Sequence, residues 1–214
     1  DFDAWRDLGN PGWGYEDVLP LFRRLENSDI EDNQFRGNLG PQHVSRLRYV
    51  HPLTHAFVKA AVDAGIPSNN DINGRVQEGV GYVQAAQHGG KRESAYDAFC
   101  RSHVKSGRIE LSPNTLVTRV LIESGKAVGV EVSRDGKIES IGSRREVILS
   151  AGALNSPQIL MLSGIGPSEQ LRRFGIPIVA ESAEVGRNMM EHPCVFLKME
   201  MRGTTLNTET PYWR

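Results

Sequence analysis

REVILSAGALNSPQILMLSGIGP, residues 145–167, passes from a β-branched apolar triplet through small residues into a second apolar segment. Val147-Ile148-Leu149 has the length and branching of a buried strand. Ser150 to Ala153 are small, and Asn155-Ser156-Pro157 opens a segment in which Ile159, Leu160 and Leu162 recur at helical spacing. Gly164-Ile165-Gly166-Pro167 ends it. Pro157 fits the first turn of a helix, where its missing N–H costs nothing, and Asn155 or Ser156 can cap the amides before it. The expectation is a strand, a tight small-residue turn and a helix N-terminus. Such a helix end carries unpaired N–H groups and a partial positive charge, a place for a phosphate or another anion. Gly152, without a Cβ, lets a ligand or another backbone come close. An ordinary βα turn in an α/β core reads the same way.

On the N-terminal side of this stretch the signal is β. Ile109–Leu111, Leu116–Ile122, Ala127–Val132 and Val147–Leu149 read as successive strands, with Ser124-Gly125 and Asp135-Gly136 as hairpin turns. On the other side, Ser168–Phe174 reads as a short helix, Ile176–Val179 as a strand, and Val195–Met201 as the start of another. Further back, Tyr15–Asn27 is amphipathic, with Val18, Leu21, Phe22 and Leu25 on one side. Pro20 inside it predicts a kink or a late start. Pro52–Ala64 reads as a helix ended by Gly65, Gly79–Gln84 as a strand, and Ser94–Lys105 as a helix with Ser94 as N-cap and Gly107 as C-cap.

The string Gly152-Ala-Leu-Asn-Ser156-Pro157, Ile159-Leu160, Ser163-Gly164-Ile165-Gly166 resembles the second signature of the glucose-methanol-choline (GMC) family of FAD-dependent oxidoreductases. Other stretches follow in family order. Asp3-Ala-Trp5, Gly12-Trp13 and Asp17-Val-Leu-Pro20-Leu-Phe22 are similar to the segment after the family's first signature. Phe35-Arg-Gly37-Asn-Leu-Gly40-Pro41 looks like its F-H-G-x-x-G-P element, with Arg36 in place of His, a departure that weakens any special role for the position. Gly90-Lys-Arg92-Glu-Ser94 is similar to a run that re-enters the FAD-binding domain, and Val185-Gly-Arg-Asn188 with Glu191-His192-Pro193 to V-G-x-N-L-x-D-H-P.

The residues support an α/β class. The resemblance implies part of an FAD-binding domain of the glutathione-reductase (dinucleotide-binding) type with a β-meander, plus parts of an antiparallel-sheet substrate domain. It divides the chain into an FAD-domain extension (1–36), a substrate-domain segment (37–90), an FAD-binding segment (91–187) and the start of the main substrate-domain segment (188–214). It implies FAD as cofactor, a small-molecule alcohol as substrate, and hydride transfer to flavin N5. The electron acceptor, oxygen or a quinone-type molecule, is left open. Within the chain it assigns the backbone of Val117 to the adenine, and the Ala151-Gly152 turn to packing against the ADP half. It implies that the Gly-rich dinucleotide fingerprint precedes Asp1 and that the catalytic His follows Arg214, so the chain alone is expected to be inactive. A lyase on the same scaffold and a non-catalytic binding fragment are the other readings.

Composition agrees with a globular protein: 214 residues, 39% hydrophobic, 24% charged and a formal net charge of −1. With that balance nothing favours nucleic acid or an acidic membrane surface as partner. No apolar run approaches the ~20 residues of a membrane span, and no signal peptide is visible. Cys100 and Cys194 show no ligand spacing, and a reducing cytosol is the default expectation. His51, His55 and His88 lack metal spacing and are expected to be solvated or hydrogen-bonded. Lys91-Arg92 reads either as an anion site at a helix end or as a solvent-facing pair. Glu191-His192 reads either as an acid/base couple or as neighbours pointing apart.

Overall fold

The computed structural model describes residues 1–30, 34–198, 200 and 203–205. They group into two units, one built on Asp1–Glu110 and one on Leu111–Lys198.

In the first unit, α1 (Phe2–Asp7) and α2 (Tyr15–Leu25) share an aromatic cluster. The Phe2 ring lies 5.4 Å from Trp5 and 5.7 Å from Phe22, and Trp5 lies 5.8 Å from Trp13. Asp17 Oδ2 accepts from the Gly14 amide and Asp3 Oδ1 from the Tyr15 amide, both at 3.0 Å. These bonds start α2 at Tyr15 and the helix runs through Pro20, so a late start does not occur. It stops at Leu25, where Glu26–Ser28 becomes β1. β1, β2 (Gln42–Arg46), β3 (Gln84–His88) and β4 (Lys91–Arg92) form one sheet in that order, with β1 and β2 parallel and the other pairs antiparallel. α3 (Pro52–Asp63) matches its expected span, and His51 caps it by accepting the Leu53 amide at 3.1 Å. The strand expected over Gly79–Gln84 lies later, at β3, and Val80 makes only an isolated bridge to Ser68. Ser94 Oγ accepts the Asp97 amide as expected of a cap. The helix behind it begins with a π-helical turn at Tyr96–Cys100, and only Arg101–Lys105 (α4) is regular.

The loop between β1 and β2 is fixed by a buried arginine. Arg36 is 8% exposed. Its Nε donates to Asp71 Oδ2 and its Nη1 to Glu26 Oε1, each at 2.9 Å; Nη2 donates to Gln84 Oε1 at 2.9 Å and also to Asp71 Oδ1. Glu26 Oε2 accepts the Gly37 amide at 3.0 Å. A Cβ on Gly37 would stand 1.8 Å from the Arg23 carbonyl oxygen, and one on Gly40 2.2 Å from the Leu25 carbonyl carbon. Both glycines are therefore required by backbone contact with the end of α2. The substitution of Arg for the family's usual His thus makes the position a structural centre.

In the second unit, β5 (Leu116–Glu123), β6 (Lys126–Arg134) and β7 (Lys137–Gly142) form the expected antiparallel meander. Each hairpin turn has two residues at positive φ, Ser124-Gly125 at 49° and 76° and Asp135-Gly136 at 50° and 76°. Those angles suit the primed turns whose twist matches paired strands. α5 (Gly152–Leu162) packs on β5, and β8 (Ile165–Gly166), α6 (Ser168–Arg173) and β9 (Ala180–Glu181) follow, with β8 and β9 parallel. Val120, Val132, Ile159 and Leu171 are the buried apolar residues. Ser163 Oγ, also buried, donates to the Ile159 carbonyl at 2.6 Å and accepts the Val120 amide at 2.8 Å, stitching the end of α5 to the edge of β5.

Further expected strands are absent or displaced. Val147–Leu149 forms no ladder and Ile148 is 77% exposed. A strand exists only through hydrogen bonds to a neighbour, and none of the described strands pairs with this segment. Ile109–Leu111 is likewise unpaired, and the strand expected over Ile176–Val179 appears as β9 instead. Residues 195–198 form no strand, and Met199 and Met201 lie outside the described residues.

Removing Arg36 leaves Asp71 and Glu26 without their counter-charge in a half-closed setting. Arg36→Met is expected to destabilise the full-length protein by about 3–5 kcal/mol in chemical denaturation. Hydrogen bonding to Arg36 holds the Asp71 carboxyl below the usual carboxylate range, and the same bond raises the guanidinium further. A depressed carboxyl stabilises the fold above its unfolded value and loses that contribution as pH falls through the folded value. Arg36 stays charged throughout, so the parent should lose stability only below about pH 4, and Arg36→Met should show a shallower acid slope. Ser163→Ala strands the Val120 amide in a buried site and should cost about 1–3 kcal/mol, read as a lower Tm.

Candidate functional site

The turn into α5 is set by two local features. Neither Asn155 nor Ser156 is the N-cap, since both lie inside α5; Ser156 Oγ instead reaches back to accept the Ala151 amide at 3.0 Å. Gly152 follows at φ 90°, in the left-handed region, where a Cβ would meet no heavy atom within 4 Å. Glycine is therefore held there by backbone conformation, and the space beyond its Cα is open. Ala151 is the N-cap, and both residues are exposed. Pro157 is not in the first turn as expected; it is the sixth residue of α5, because the helix begins at Gly152. Its missing N–H removes one bond, to the Ala153 carbonyl. The first amides of α5 have no acceptor inside the helix, and the helix dipole places its positive end at this turn.

Val117 lies on β5, the strand against which α5 packs. Val117 pairs with Val132 and Arg119 with Glu131, so Thr118 is an extra residue on β5, a β-bulge. Val120 pairs with Val130, which puts Val117 and Val120, three residues apart, on one face with Val130 and Val132. Glu131 sits opposite the bulge. Its Oε1 accepts Thr118 Oγ1 at 2.8 Å, its Oε2 accepts Arg119 Nη2 at 2.8 Å, and Thr118 Oγ1 also reaches the Glu131 carbonyl at 3.1 Å. These bonds, that from Arg119 first, hold the Glu131 carboxyl below its ordinary range. Val117, Ala151 and Gly152 thus belong to one unit and to two elements packed on each other.

His51, His55 and His88 are engaged. His51 caps α3, His55 Nδ1 lies 2.6 Å from the Tyr82 hydroxyl, and the His88 ring stacks 3.8 Å from that of His43. His43 Nδ1 in turn lies 3.1 Å from Glu93 Oε2. Among the described residues no group of three His, Cys, Asp or Glu is placed to hold a metal ion. Glu191 Oε1 accepts the His192 backbone amide at 2.9 Å, so the carboxylate is bonded to main chain and no side-chain couple forms. Lys91 and Arg92 are exposed on β4, not at a helix N-terminus. Among the described residues no helix is long and apolar enough to cross a membrane.

Arg36, Ser163 and the Thr118–Glu131 clamp were not evident in the sequence. The last has a signal: once Ser124-Gly125 closes the hairpin, counting back along the strands sets Glu131 near Thr118 and Arg119, an opposite-charge cross-strand pair.

A family model described as GMC oxidoreductase matches residues 1–194. The chain is 43% identical over 192 residues to an oxygen-dependent choline dehydrogenase of Rhizobium johnstonii, covering 90% of this chain and 35% of that protein. Its fold matches the crystal structure of pyridoxine 4-oxidase from Mesorbium loti with a TM-score of 0.76 at 28% identity, over 86% of this chain and 36% of the other. It matches an FAD-dependent oxidoreductase from Chaetomium thermophilum with a TM-score of 0.77 at 28% identity, over 84% and 34%. The chain spans about a third of the length of the curated relatives it matches. The chain shares its α/β fold with these structures, and with a family model matched over residues 1–194 it belongs to the GMC oxidoreductase family.

Proposed function

We propose that the full-length protein is an FAD-dependent oxidoreductase that oxidises a small-molecule alcohol, and that this chain supplies part of its cofactor domain. The observation that carries the proposal is the open, left-handed Gly152 turn at the head of α5, in a chain 43% identical to a choline dehydrogenase. When bound, FAD supplies the hydride acceptor for a CH–OH donor; the protein supplies position and electrostatics. The residues present fit that group. Gly152 offers space that no side chain fills, and the first amides of α5 favour a nearby negative charge. We assign Ala151 and Gly152 to a wall against the ADP half and the Val117 backbone to the adenine. Residues 1–36 and 91–187 are assigned to the FAD-binding domain, and residues 37–90 and 188–214 to the substrate domain. None of the described residues is given a catalytic role. The unpaired Cys100 and Cys194 sit well with a reducing compartment such as the cytosol.

The full-length protein should carry the visible flavin bands, and an alcohol, choline first, should bleach them under anaerobic conditions. Absence of the bands overturns the proposal, and flavin that no alcohol bleaches points to a lyase. The reduced flavin should then be reoxidised by oxygen or by a quinone, which identifies the acceptor. Gly152→Ala should fold with a cost of about 1–2 kcal/mol from its left-handed backbone. Gly152→Leu should in addition fill the open space and purify with far less FAD; unchanged FAD content removes the turn from the site.

A further inference from the structure

We propose that Glu131 is a positioning residue for the adenine end of the cofactor, acting by holding the β-bulge at Thr118 that aims Val117. This rests on the assignment of Val117 above and adds what makes that residue available. In a regular strand successive side chains point to opposite faces, so one carboxylate opposite cannot reach two residues in a row. Glu131 does reach two in a row, Thr118 through Oε1 and Arg119 through Oε2, each at 2.8 Å. The bulge is what turns both side chains toward it, and the carboxylate bonding both is what keeps the bulge in one place.

The consequence falls on Val117. Its ladder partner Val132 is buried against the unit's core, and Val120, three residues on, shares that face only because one residue has been inserted between them. A one-residue slip would move Val117 to the other face. A bulge also leaves a peptide group without a ladder partner, here on β5, an outer strand of the three-stranded sheet. The outward amide at Val120 is already taken by Ser163. The stretch at Val117–Thr118 is therefore where β5 can offer backbone groups to a flat, hydrogen-bonding ring such as adenine.

The test uses full-length apoprotein and three probes: FAD, ADP and FMN. FMN shares the flavin and a phosphate with FAD but lacks the adenine. Glu131→Ala should bind FAD and ADP about tenfold or more weakly, the effect of losing hydrogen bonds to a charged group, and FMN as the parent does. Glu131→Gln should recover part of the loss, since its carbonyl oxygen still accepts from Thr118. Parent-like affinity of Glu131→Ala for FAD and ADP overturns the proposal, as does an equal loss for FMN, which would mark general damage to the fold. Should Glu131→Ala not fold, Thr118→Val read with the same probes decides in the same way. A parent apoprotein that binds FMN but not ADP refutes the assignment of Val117 itself, a result distinct from parent-like binding in the variant.

Discussion

A guanidinium that has left most of its water needs acceptors on nearly every N–H, and the first unit is arranged to give them to Arg36. Asp71 takes two, Glu26 and Gln84 one each. Glu26 belongs to β1, Gln84 to β3, and both flank β2, so one side chain joins the strands on either side of the sheet's second strand. Asp71 brings in a third segment, and its own loop is ordered through Asn69, whose Oδ1 accepts the Asp71 amide at 2.8 Å while Nδ2 donates to the Val76 and Glu78 carbonyls. Among the described residues of this unit Val18 is the buried apolar one, beside buried Ser28, Arg36 and His51. Its order thus depends on satisfied polar contacts more than on an oily centre, which makes it sensitive to loss of any one partner. The planar fork matters here: an imidazole could not serve Asp71 in two-point fashion and still reach Glu26 and Gln84.

The second unit rests on a different device. Its sheet is short and its two outer strands would leave rows of peptide groups open. Ser163 closes one of those gaps at Val120 while also bonding the Ile159 carbonyl of its own helix. The helix is thereby fixed to β5 by a hydrogen bond as well as by Ile159, and whatever the bulge does to β5 is referred to the same helix that begins at Gly152.

Much of this order was readable in the sequence where structure is decided locally. Ser124-Gly125 and Asp135-Gly136 carry their turn type in their own side chains, and α3 carries its limits in Pro52 and Gly65. What was not readable is decided by partners far along the chain. Val147–Leu149 has the composition of a strand, yet pairing requires a neighbour that composition cannot name. Arg36 looked like a departure from a motif, because the sequence does not say which charge will be buried with two carboxylates. Of the proposed site residues, Val117, Ala151 and Gly152 came from family resemblance; the residues' own chemistry gave only the turn, and the bulge beside Val117 depends on register.

The two proline-containing helices show the same limit and bear directly on the site. Pro20 in α2 and Pro157 in α5 are each the sixth residue of an 11-residue helix. Local rules place Pro157 in the first turn of its helix, where the missing N–H is free of cost, and leave Pro20 either a kink in a helix from Tyr15 or a late start. Both helices begin about a turn and a half ahead of their proline, because side chains hold the backbone there: Asp3 and Asp17 take the amides of Tyr15 and Gly14, and Ser156 takes that of Ala151. Each such bond replaces an orphan amide's contact with water and fixes the direction of entry, which offsets the single bond lost at the proline. For α5 the shift has a chemical result. It carries the positive end of the helix from Asn155–Ser156 to Gly152, the one residue of the turn whose backbone excludes a side chain on conformational grounds and whose flank is open. The positive end of the helix and the open space then coincide at Gly152.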